Sequence, residues 1–334
     1  MKKKNTNLSR RDFLSVSLAA VAGFVFEAKG IVGVTTGYPN RFHRDRGIVI
    51  IPGRGEIYIA ADFHSNYRDF VKWLDKTRIY EKLKAGEDVY GLILGDVVDI
   101  KPDDRDADKN GDVKILDRLM KMRRKLGKRG KRLVHLLGNH EYMNVDIYGR
   151  LKKHAGLNPR NRRQLVDALL KTKEGAEASQ FNFLRRMREV HYEYLKNLPL
   201  VVLCKNGVAA VHAGPAVSVL NVEDIAGRKE EVVKELVGGR AYQVEDGGYS
   251  EEDLLRFLKI LEDSKLLITG HTPLNELPAG SIKKGIGLVG AHQVILGTSY
   301  GYSPGEKSYL KINLDKMYKN ADDLRIGEEI LRLD

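Results

Sequence analysis

Five short motifs of glycine and polar residues constrain the fold of this chain most, because each follows a short apolar run. The motifs are Asp62-Phe63-His64, Gly95-Asp96-Val97-Val98-Asp99, Gly138-Asn139-His140-Glu141, His212-Ala213-Gly214 and Gly270-His271-Thr272-Pro273. Short apolar runs that end in turn residues are typical of buried strands. Because an α/β sheet presents functional side chains at the carboxyl ends of its strands, the pattern predicts an α/β fold with one shared polar site.

Longer helical patterns alternate with the apolar runs between residues 48 and 315, which also favours an α/β arrangement. We expect a main domain over 47–315 with nine strands and five helices, the longest helices covering 67–83 and 181–195. Residues 144–196 are charged and helical in pattern without a strand, and we interpret them as a helical insertion. Residues 316–334 are expected to form a C-terminal tail.

The polar side chains of these motifs are of the kinds that bind metal ions. Carboxylate, imidazole and amide groups suit manganese, iron and zinc. Two ions held close together need a carboxylate that bridges them, and we assign that role to Asp96. Asp62 and His64 are two positions apart, so both side chains leave an extended backbone on one side. A lone histidine would more often be a hydrogen-bonded core residue, but five motifs together predict a two-metal site.

The motifs and their order resemble those of the calcineurin-like metallophosphoesterases, over almost the whole chain after its amino-terminal segment. The resemblance implies a metal-dependent phosphoric ester hydrolase that acts on a phosphorylated substrate. It also implies the ligands of two ions: Asp62, His64 and Asp96 for the first, and Asp96, Asn139, His212 and His271 for the second.

The same resemblance implies a proton donor next to the metal ligands. His140 matches the general acid of the family, and Asp99 matches the residue that orients the imidazole ring. A structural histidine behind the ligands is the alternative role for His140. The two ions would activate the attacking water and neutralise the charge that develops on the phosphoryl group.

Within the superfamily, Gly138-Asn139-His140-Glu141 followed by Tyr142-Met143-Asn144 is similar to the Shewanella-like branch of the phosphoprotein phosphatases. Membership of that branch would imply a four-layer α/β/β/α sandwich and a preference for phosphotyrosine. The sequence departs from the branch at Ser65, at Ile100-Lys101 and at Ala213. The second departure removes an arginine that would clamp phosphate, and Lys101 or Arg105 could replace it only as a point charge. Hydrolysis of small phosphate esters is therefore open as well.

Two other functions fit parts of the sequence. The same site could hydrolyse nucleoside polyphosphates of the diadenosine type, which a preference for dinucleotides over aryl phosphates would reveal. The chain could also be a non-catalytic module that binds an anionic polymer through the basic segment 121–132, since the net charge is +12. A solvated helix end is the simpler interpretation of that segment, and we expect no nucleic acid partner.

Residues 106–117 have the spacing of a calcium-binding loop. The expected ligands are Asp106, Asp108, Asn110, Asp112 and Asp117, at loop positions 1, 3, 5, 7 and 12. Gly111 stands at position 6, where such loops turn sharply. Position 12 is Asp instead of the usual Glu, and an acidic, solvated turn between a strand and a helix is the alternative interpretation.

The first thirty residues resemble a twin-arginine export signal. Ser9-Arg10-Arg11-Asp12-Phe13-Leu14 precedes the apolar run from Val16 to Phe26, which is short for a membrane span. We expect the twin-arginine machinery to export the protein to the periplasm or the outer face of the cytoplasmic membrane. Ala20-Val21-Ala22 is a poorly formed cleavage site, so an uncleaved segment would be the protein's contact with the membrane. A merely apolar helix is the alternative, but it leaves the arginine pair unexplained.

Residues 1–30, fused to a reporter that folds in the cytoplasm, should carry the reporter across the membrane. Changing Arg10 and Arg11 together to Lys should stop the transport, because the receptor recognises the arginine pair. Fractionation of the cells locates the reporter. Transport that survives the double change would contradict the signal.

Overall fold

Two β-sheets and ten helices make up the described part of the chain. The computed structural model describes residues 41–334 except 102–103, 105–106, 156–158, 242, 244–247, 279 and 303–305, so the predicted signal segment lies outside the described residues. The strands are β1 (His43–Asp45), β2 (Ile48–Ile51), β3 (Glu56–Ala60), β4 (Val89–Ile93), β5 (Leu133–His135), β6 (Val201–Cys204), β7 (Val208–Ala210), β8 (Leu266–Thr269), β9 (Ile282–Lys283), β10 (Ile286–Val289), β11 (Gln293–Ile295), β12 (Ser308–Asn313) and β13 (Ile330–Arg332). The helices are α1 (Tyr67–Thr77), α2 (Ile79–Ala85), α3 (Gly111–Leu126), α4 (Asn139–Ala155), α5 (Pro159–Leu170), α6 (Gly175–Arg186), α7 (Glu189–Lys196), α8 (Val222–Ala226), α9 (Glu230–Gly238) and α10 (Glu251–Ile260).

The strands form one sheet of eight and one of five. The first has the order β1, β2, β6, β7, β8, β11, β10, β9, and the second has the order β13, β12, β3, β4, β5. Strands β3, β4 and β5 run parallel to one another, and so do β7 and β8. Each of these five strands comes just before one of the five motifs, so each sheet delivers its motifs at the carboxyl ends of parallel strands.

Alternation along the strands divides the protein into layers. Ile57 and Ile59 of β3 pack in one apolar cluster with Val49 of the other sheet. Tyr58, which lies between them, points the opposite way and joins a second cluster with Trp73 of α1. Because successive strand residues face opposite sides, each sheet buries one face against its partner and the other against helices. The predicted four-layer α/β/β/α sandwich is confirmed.

Two predicted helices are each split into two. Arg78 adopts a left-handed backbone conformation with φ of 51°, which ends α1 and separates it from α2 inside the predicted span 67–83. Met187 and Arg188 are extended and separate α6 from α7 inside the span 181–195. In the described part of residues 144–196 every regular element is a helix. No described helix has the length and apolar composition needed to cross a membrane.

The segment 316–334, predicted as a tail, contributes to the second sheet. Its strand β13 pairs antiparallel with β12, with Leu310 opposite Ile330. Ile330 is buried in the cluster between the sheets. The difference arises because a three-residue strand carries too little pattern to stand out from a charged terminus.

A buried ion pair joins the second sheet to α1. The Nζ atom of Lys307, which directly precedes β12, lies 2.7 Å from Oδ2 of Asp69, and both side chains are buried. Ser299 and Asn66 donate further hydrogen bonds to the same carboxylate oxygen. Asp69 also belongs to the first turn of α1, whose first residues are capped by the Asn66 side chain.

Lys307→Met should destabilise the protein by about 3–5 kcal/mol, because it leaves the carboxylate of Asp69 buried without its cation. Urea unfolding measures the change. Lys234→Met is the matched control, since Lys234 pairs with Glu230 at the surface and such a pair contributes less than about 1 kcal/mol. Equal unfolding midpoints for the two variants would contradict the role of the buried pair.

Candidate metal centre

The five motifs meet at the carboxyl edges of the two sheets. Two follow β3 and β4, one follows β5 and opens α4, and two follow β7 and β8. The polar residues that they bring together are Asp62, His64, Asp96, Asp99, Asn139, His140, His212 and His271. The structure therefore gathers every predicted ligand, with both predicted proton-transfer residues, in one place.

His64 presents a ring nitrogen to Asp96. Its Nε2 atom lies 3.4 Å from Oδ2 of Asp96. Its Nδ1 atom lies 3.2 Å from the carbonyl oxygen of Val98 and 3.1 Å from that of Asp99. Since carbonyl oxygens only accept, Nδ1 carries the proton and the lone pair of Nε2 points into the site. A second hydrogen bond of this kind orients most metal-binding histidines.

His212 is oriented in the same way on the other side of Asp96. Its Nδ1 atom donates to the carbonyl oxygen of Leu94 at 2.9 Å, and its Nε2 atom lies 3.4 Å from Oδ2 of Asp96. The amide oxygen of Asn139 lies 3.1 Å from that Nε2 atom and 3.2 Å from Nδ1 of His271. Asp96 thus has an imidazole Nε2 atom on each side, which is the position of a bridging ligand.

Oxygen and nitrogen atoms that can act as acceptors converge on Asn139. The Asn139 amide oxygen faces the two histidine nitrogens and also Oδ2 of Asp96, which is 2.9 Å away. The Asn139 oxygen and the Asp96 carboxylate oxygen repel each other at this distance. Rotating the Asn139 amide so that its nitrogen faces Asp96, or placing a cation between these atoms, would remove the repulsion. Oδ1 of Asp62 is buried and has no hydrogen-bond partner among the described residues. A buried carboxylate oxygen without a hydrogen-bond donor carries a desolvation cost. A bound cation would be a partner for both the Asn139 amide oxygen and Oδ1 of Asp62, so the residues fit metal ions.

Two overlapping sets of ligand atoms share Asp96. One consists of His64, Asp96 and His140, the other of Asp96, His212 and His271, and the atoms of each set lie within 4.8 Å of one another. We do not count His140 as a ligand, because its Nδ1 atom faces Asp99 at 2.9 Å and its Nε2 atom faces the ammonium group of Lys101 at 2.9 Å. A ring nitrogen beside an ammonium group is poorly placed to bind a second cation.

Burial and charge fix the protonation states of the ligands. Burial raises the pKa of Asp62 to about 7. Burial also acts to raise the pKa of Asp96, but neighbouring imidazoles, that of His212 first, hold it well below its ordinary value. Burial lowers the pKa of His64 far below its ordinary value and that of His271 to about 3. Asp96 is therefore ionised, and His64 and His271 are neutral near pH 7, the states in which they can bind cations. Burial acts to lower the pKa of His212, but the carboxylates of Asp96 and Asp62 raise it to about 9, so an ion bound there would displace its Nε2 proton.

A buried carboxylate supports the ligands from behind. Glu141 accepts hydrogen bonds from the backbone N–H groups of Asp96 and Val97, both at 2.8 Å, and from that of Gly138 at 3.1 Å. The close approach requires glycine at position 138, where a Cβ atom would lie 2.3 Å from Oδ1 of Asp96. The loops after β4 and β5 are thereby held in one arrangement.

His140 sits at the edge of the ligand cluster in its own network. Asn144 donates to Oδ2 of Asp99 and to the carbonyl oxygen of His140, both at 2.8 Å. Burial acts to lower the pKa of His140, but the carboxylates of Asp96 and Asp99 outweigh it and raise the pKa above its ordinary value. The imidazole is thus held in place, and its positive form is favoured.

An aromatic ring and a cation form one wall of the site. The Nζ atom of Lys101 lies 5.2 Å from the centre of the Tyr300 ring, and that ring packs edge-on against His64 with centroids 5.1 Å apart. Lys101 was predicted as a phosphate ligand, and its contact with His140 places it beside the ligands. Arg105, the other predicted phosphate ligand, lies outside the described residues.

The expected calcium loop differs from the structure. Asp106 lies outside the described residues, and α3 already begins at Gly111, loop position 6, where a calcium loop would still be turning. Three of its carboxylates contact basic side chains: Asp108 contacts Lys114, Asp112 contacts Arg186, and Asp117 contacts Arg188 and His191. These carboxylates are not brought together around a common point, so the alternative, a turn between strand and helix, describes the visible part better.

The sequence reasoning missed three residues of the site. Glu141 stood inside a quoted motif but received no role, and its burial beside three backbone N–H groups could not be read from spacing. Asn144 was noticed only as part of a resemblance. Tyr300 was not singled out, and its signal is weak, because it lies in a loop about 30 residues after the last motif.

The model of the calcineurin-like phosphoesterase family matches residues 55–315 of the chain. The chain belongs to this family. It is therefore a metal-dependent phosphoric ester hydrolase with a phosphorylated substrate, as predicted. The family uses a dinuclear metal centre, which agrees with the two ligand sets around Asp96.

Several solved structures are similar to this phosphoesterase. A protein serine/threonine phosphatase from Saccharomyces cerevisiae is 14% identical, covers 77% of this chain and 72% of its own, and has a TM-score of 0.49. A cold-active protein-tyrosine phosphatase of a psychrophilic Shewanella species is 13% identical, with coverages of 83% and 79% and a TM-score of 0.47. A metallophosphoesterase from Sphaerobacter thermophilus is 15% identical, with coverages of 78% and 84% and a TM-score of 0.40. No match was found among curated proteins.

Asp96→Asn should remove metal from both positions of the phosphoesterase and abolish nearly all activity, because the shared negative charge is lost. Elemental analysis of the purified variant measures the metal content. Asp75→Asn, at an exposed position of α1, is the matched control and should keep its metal and activity. Two ions per chain with normal turnover in Asp96→Asn would show that the ligand set is assigned wrongly.

Proposed function

We propose that this phosphoesterase hydrolyses phosphate monoesters, aryl phosphates such as phosphotyrosine first among them, after export from the cytoplasm. The observation that carries the proposal is the pair formed by His140 and Asp99, with 2.9 Å between Nδ1 and Oδ2, next to the ligand cluster. Asp62, His64 and Asp96 would hold one ion, and Asp96, Asn139, His212 and His271 the other. Bound there, the ions would lower the pKa of the attacking water and neutralise charge on the phosphoryl oxygens.

His140 serves the leaving group in this proposal. Nδ1 of His140 donates its proton in a hydrogen bond to Asp99. This contact orients the ring so that Nε2 faces the open side of the site. When the Lys101 ammonium group donates to a phosphate oxygen instead of to Nε2, a protonated Nε2 can donate to the leaving oxygen as the ester bond breaks. The raised pKa of His140 keeps a larger share of the imidazole protonated near neutral pH than an ordinary histidine would have.

Lys101 and Tyr300 select the substrate. The ammonium group of Lys101 lies 2.9 Å from Nε2 of His140, so it can donate to a phosphate oxygen placed beside that atom. The Tyr300 ring next to it offers an apolar surface for an aromatic leaving group. A single lysine holds phosphate less specifically than an arginine fork, which favours small aryl esters over large phosphoproteins.

Protein loaded with manganese, and in parallel with iron or zinc, should hydrolyse para-nitrophenyl phosphate and phosphotyrosine faster than dinucleoside polyphosphates. Product release measured across this substrate panel tests the proposal. Faster turnover of the dinucleotides would favour the nucleoside polyphosphate hydrolase instead. Absence of turnover with every metal and substrate would favour the non-catalytic binding module.

His140→Asn should leave the metal content nearly unchanged but slow esters with poor leaving groups by about 10²- to 10⁴-fold, the usual effect of a lost general acid. Aryl esters with good leaving groups need less protonation and should slow less. Steady-state kinetics on both ester types measure the difference. His292→Asn, outside the site, is the control; equal losses on both ester types for His140→Asn would contradict proton donation.

Export from the cytoplasm is the second part of the proposal. It is supported by the Arg10-Arg11 pair, the apolar run that follows, and a metal-dependent fold that benefits from loading before transport. The partner would be the twin-arginine machinery, and the mature phosphoesterase would act in the periplasm or at the outer face of the membrane.

A further inference from the structure

A large cavity lined by arginines lies in the helical segment outside the metal site. Its volume is about 850 Å³. The arginines that line it come from α5, from α6 and from the turn before α7: Arg160, Arg162, Arg163, Arg185, Arg186 and Arg188. Asn110, which caps α3, and Asn182 of α6 complete the polar lining. We call this space the arginine cavity.

Acidic side chains neutralise half of these arginines. Nε of Arg185 lies 2.7 Å from a carboxylate oxygen of Asp167, Arg186 lies at the same distance from Asp112, and Arg188 contacts Asp117. Arg162 contacts the uncharged oxygens of Tyr148 and Met187 instead.

Two further arginines have no partner among the described residues. Arg160 and Arg163 are exposed on the first turns of α5 and line the cavity. They leave two positive charges in one cavity without an acidic partner in the described part of the chain. Like charges held this close repel one another, so the cavity favours an anionic occupant.

A buried donor in the cavity wall also lacks an acceptor. The Nε atom of Arg186 is buried and makes no hydrogen bond within the described part of the chain. A buried N–H group without an acceptor carries a desolvation penalty. An oxygen atom of a ligand in the cavity would remove that penalty, so the cavity offers a ligand both unneutralised charge and an unused donor.

The lining favours one chemical class of anion. Guanidinium groups donate hydrogen bonds and accept none, and the side-chain acceptors that the arginine cavity adds are the amide oxygens of Asn110 and Asn182. Phosphate oxygens accept hydrogen bonds, whereas a peptide also brings N–H groups that need acceptors. The volume far exceeds that of one phosphate group. We propose that the arginine cavity binds the linked phosphates of a nucleoside triphosphate or of inorganic polyphosphate.

The arginine cavity is close to the metal centre but separate from it. Asp112, which pairs with Arg186, donates its backbone N–H to Oγ of Ser65 at 2.9 Å, and Ser65 follows His64. None of the six arginines belongs to the ligand set. Binding in the cavity can therefore be measured without reference to turnover, and its test is independent of the proposed function.

Titration calorimetry of the metal-loaded protein tests the proposal with three probes: tripolyphosphate, adenosine 5′-(β,γ-imido)triphosphate and hexaglutamate. Arg160→Gln with Arg163→Gln should weaken binding of both phosphate compounds by about 10- to 100-fold, because two charge-assisted contacts are lost. Hexaglutamate should bind more weakly than either. Tighter binding of the nucleotide would identify a nucleoside site, and equal binding would identify a site for the phosphate chain alone.

Arg124→Gln with Lys125→Gln is the matched control, since it removes two exposed charges at the far end of α3 and outside the cavity. It should bind the probes as the wild type does. Equal affinities of the cavity variant and this control for the phosphate compounds would overturn the proposal. Hexaglutamate binding as tight as tripolyphosphate would overturn the assignment to phosphates.

Discussion

The carboxylate of Glu141 holds together the two loops on which the metal centre is built. It accepts three backbone hydrogen bonds, two from the loop after β4 and one from the loop after β5. Asp96 is fixed by this contact at its backbone, and its Oδ1 atom in turn accepts the N–H of His140 at 3.1 Å. The shared ligand and the proton donor therefore depend on one buried charge, whose three donors compensate for its removal from water.

Four ligands and Asp99 have an unfavourable backbone, although the sequence predicted an extended backbone for Asp62 and His64. Asp62, His64, Asp96, Asp99 and His271 have φ angles of 49°, 38°, 50°, 62° and 65°, in the left-handed region that residues with a Cβ atom rarely adopt. Each such residue costs of order 1–3 kcal/mol. The sandwich core tolerates this cost because each of these loops starts directly from a buried strand. The left-handed backbone directs side chains that follow different strands toward the shared metal centre.

The sequence allowed us to predict those parts of the fold that depend on a local pattern of residues. Each of the nine expected strands is present, because a buried strand needs a continuous apolar run that can be recognised in isolation. The site was predictable for the same reason, since its residues follow these strands directly. The helix break at Arg78 was not predictable, because the amphipathic pattern of the sequence does not change there. The sequence also did not predict that α4 begins at Asn139, inside the third motif.

The spacing of residues 106–117 shows the limit of such reasoning. Spacing places carboxylates at loop positions but says nothing of their partners. Asp112 and Asp117 meet arginines that lie about 70 positions later in the chain, on the helical segment. These contacts depend on tertiary packing, which the local sequence does not encode.

The place of β12 in the second sheet determines when this protein can fold. Strand β3 pairs with β12, and Ile59 lies opposite Leu310, about 250 positions later. Closing so long a loop is slow, because its entropy is lost before the contact is gained. A ribosome makes the amino-terminal half of the chain first. Strand β3, which precedes Asp62, therefore gains β12 as its second neighbour, beside β4, only when nearly the whole chain has been made. Metal loading is then a late event in the biogenesis of the protein.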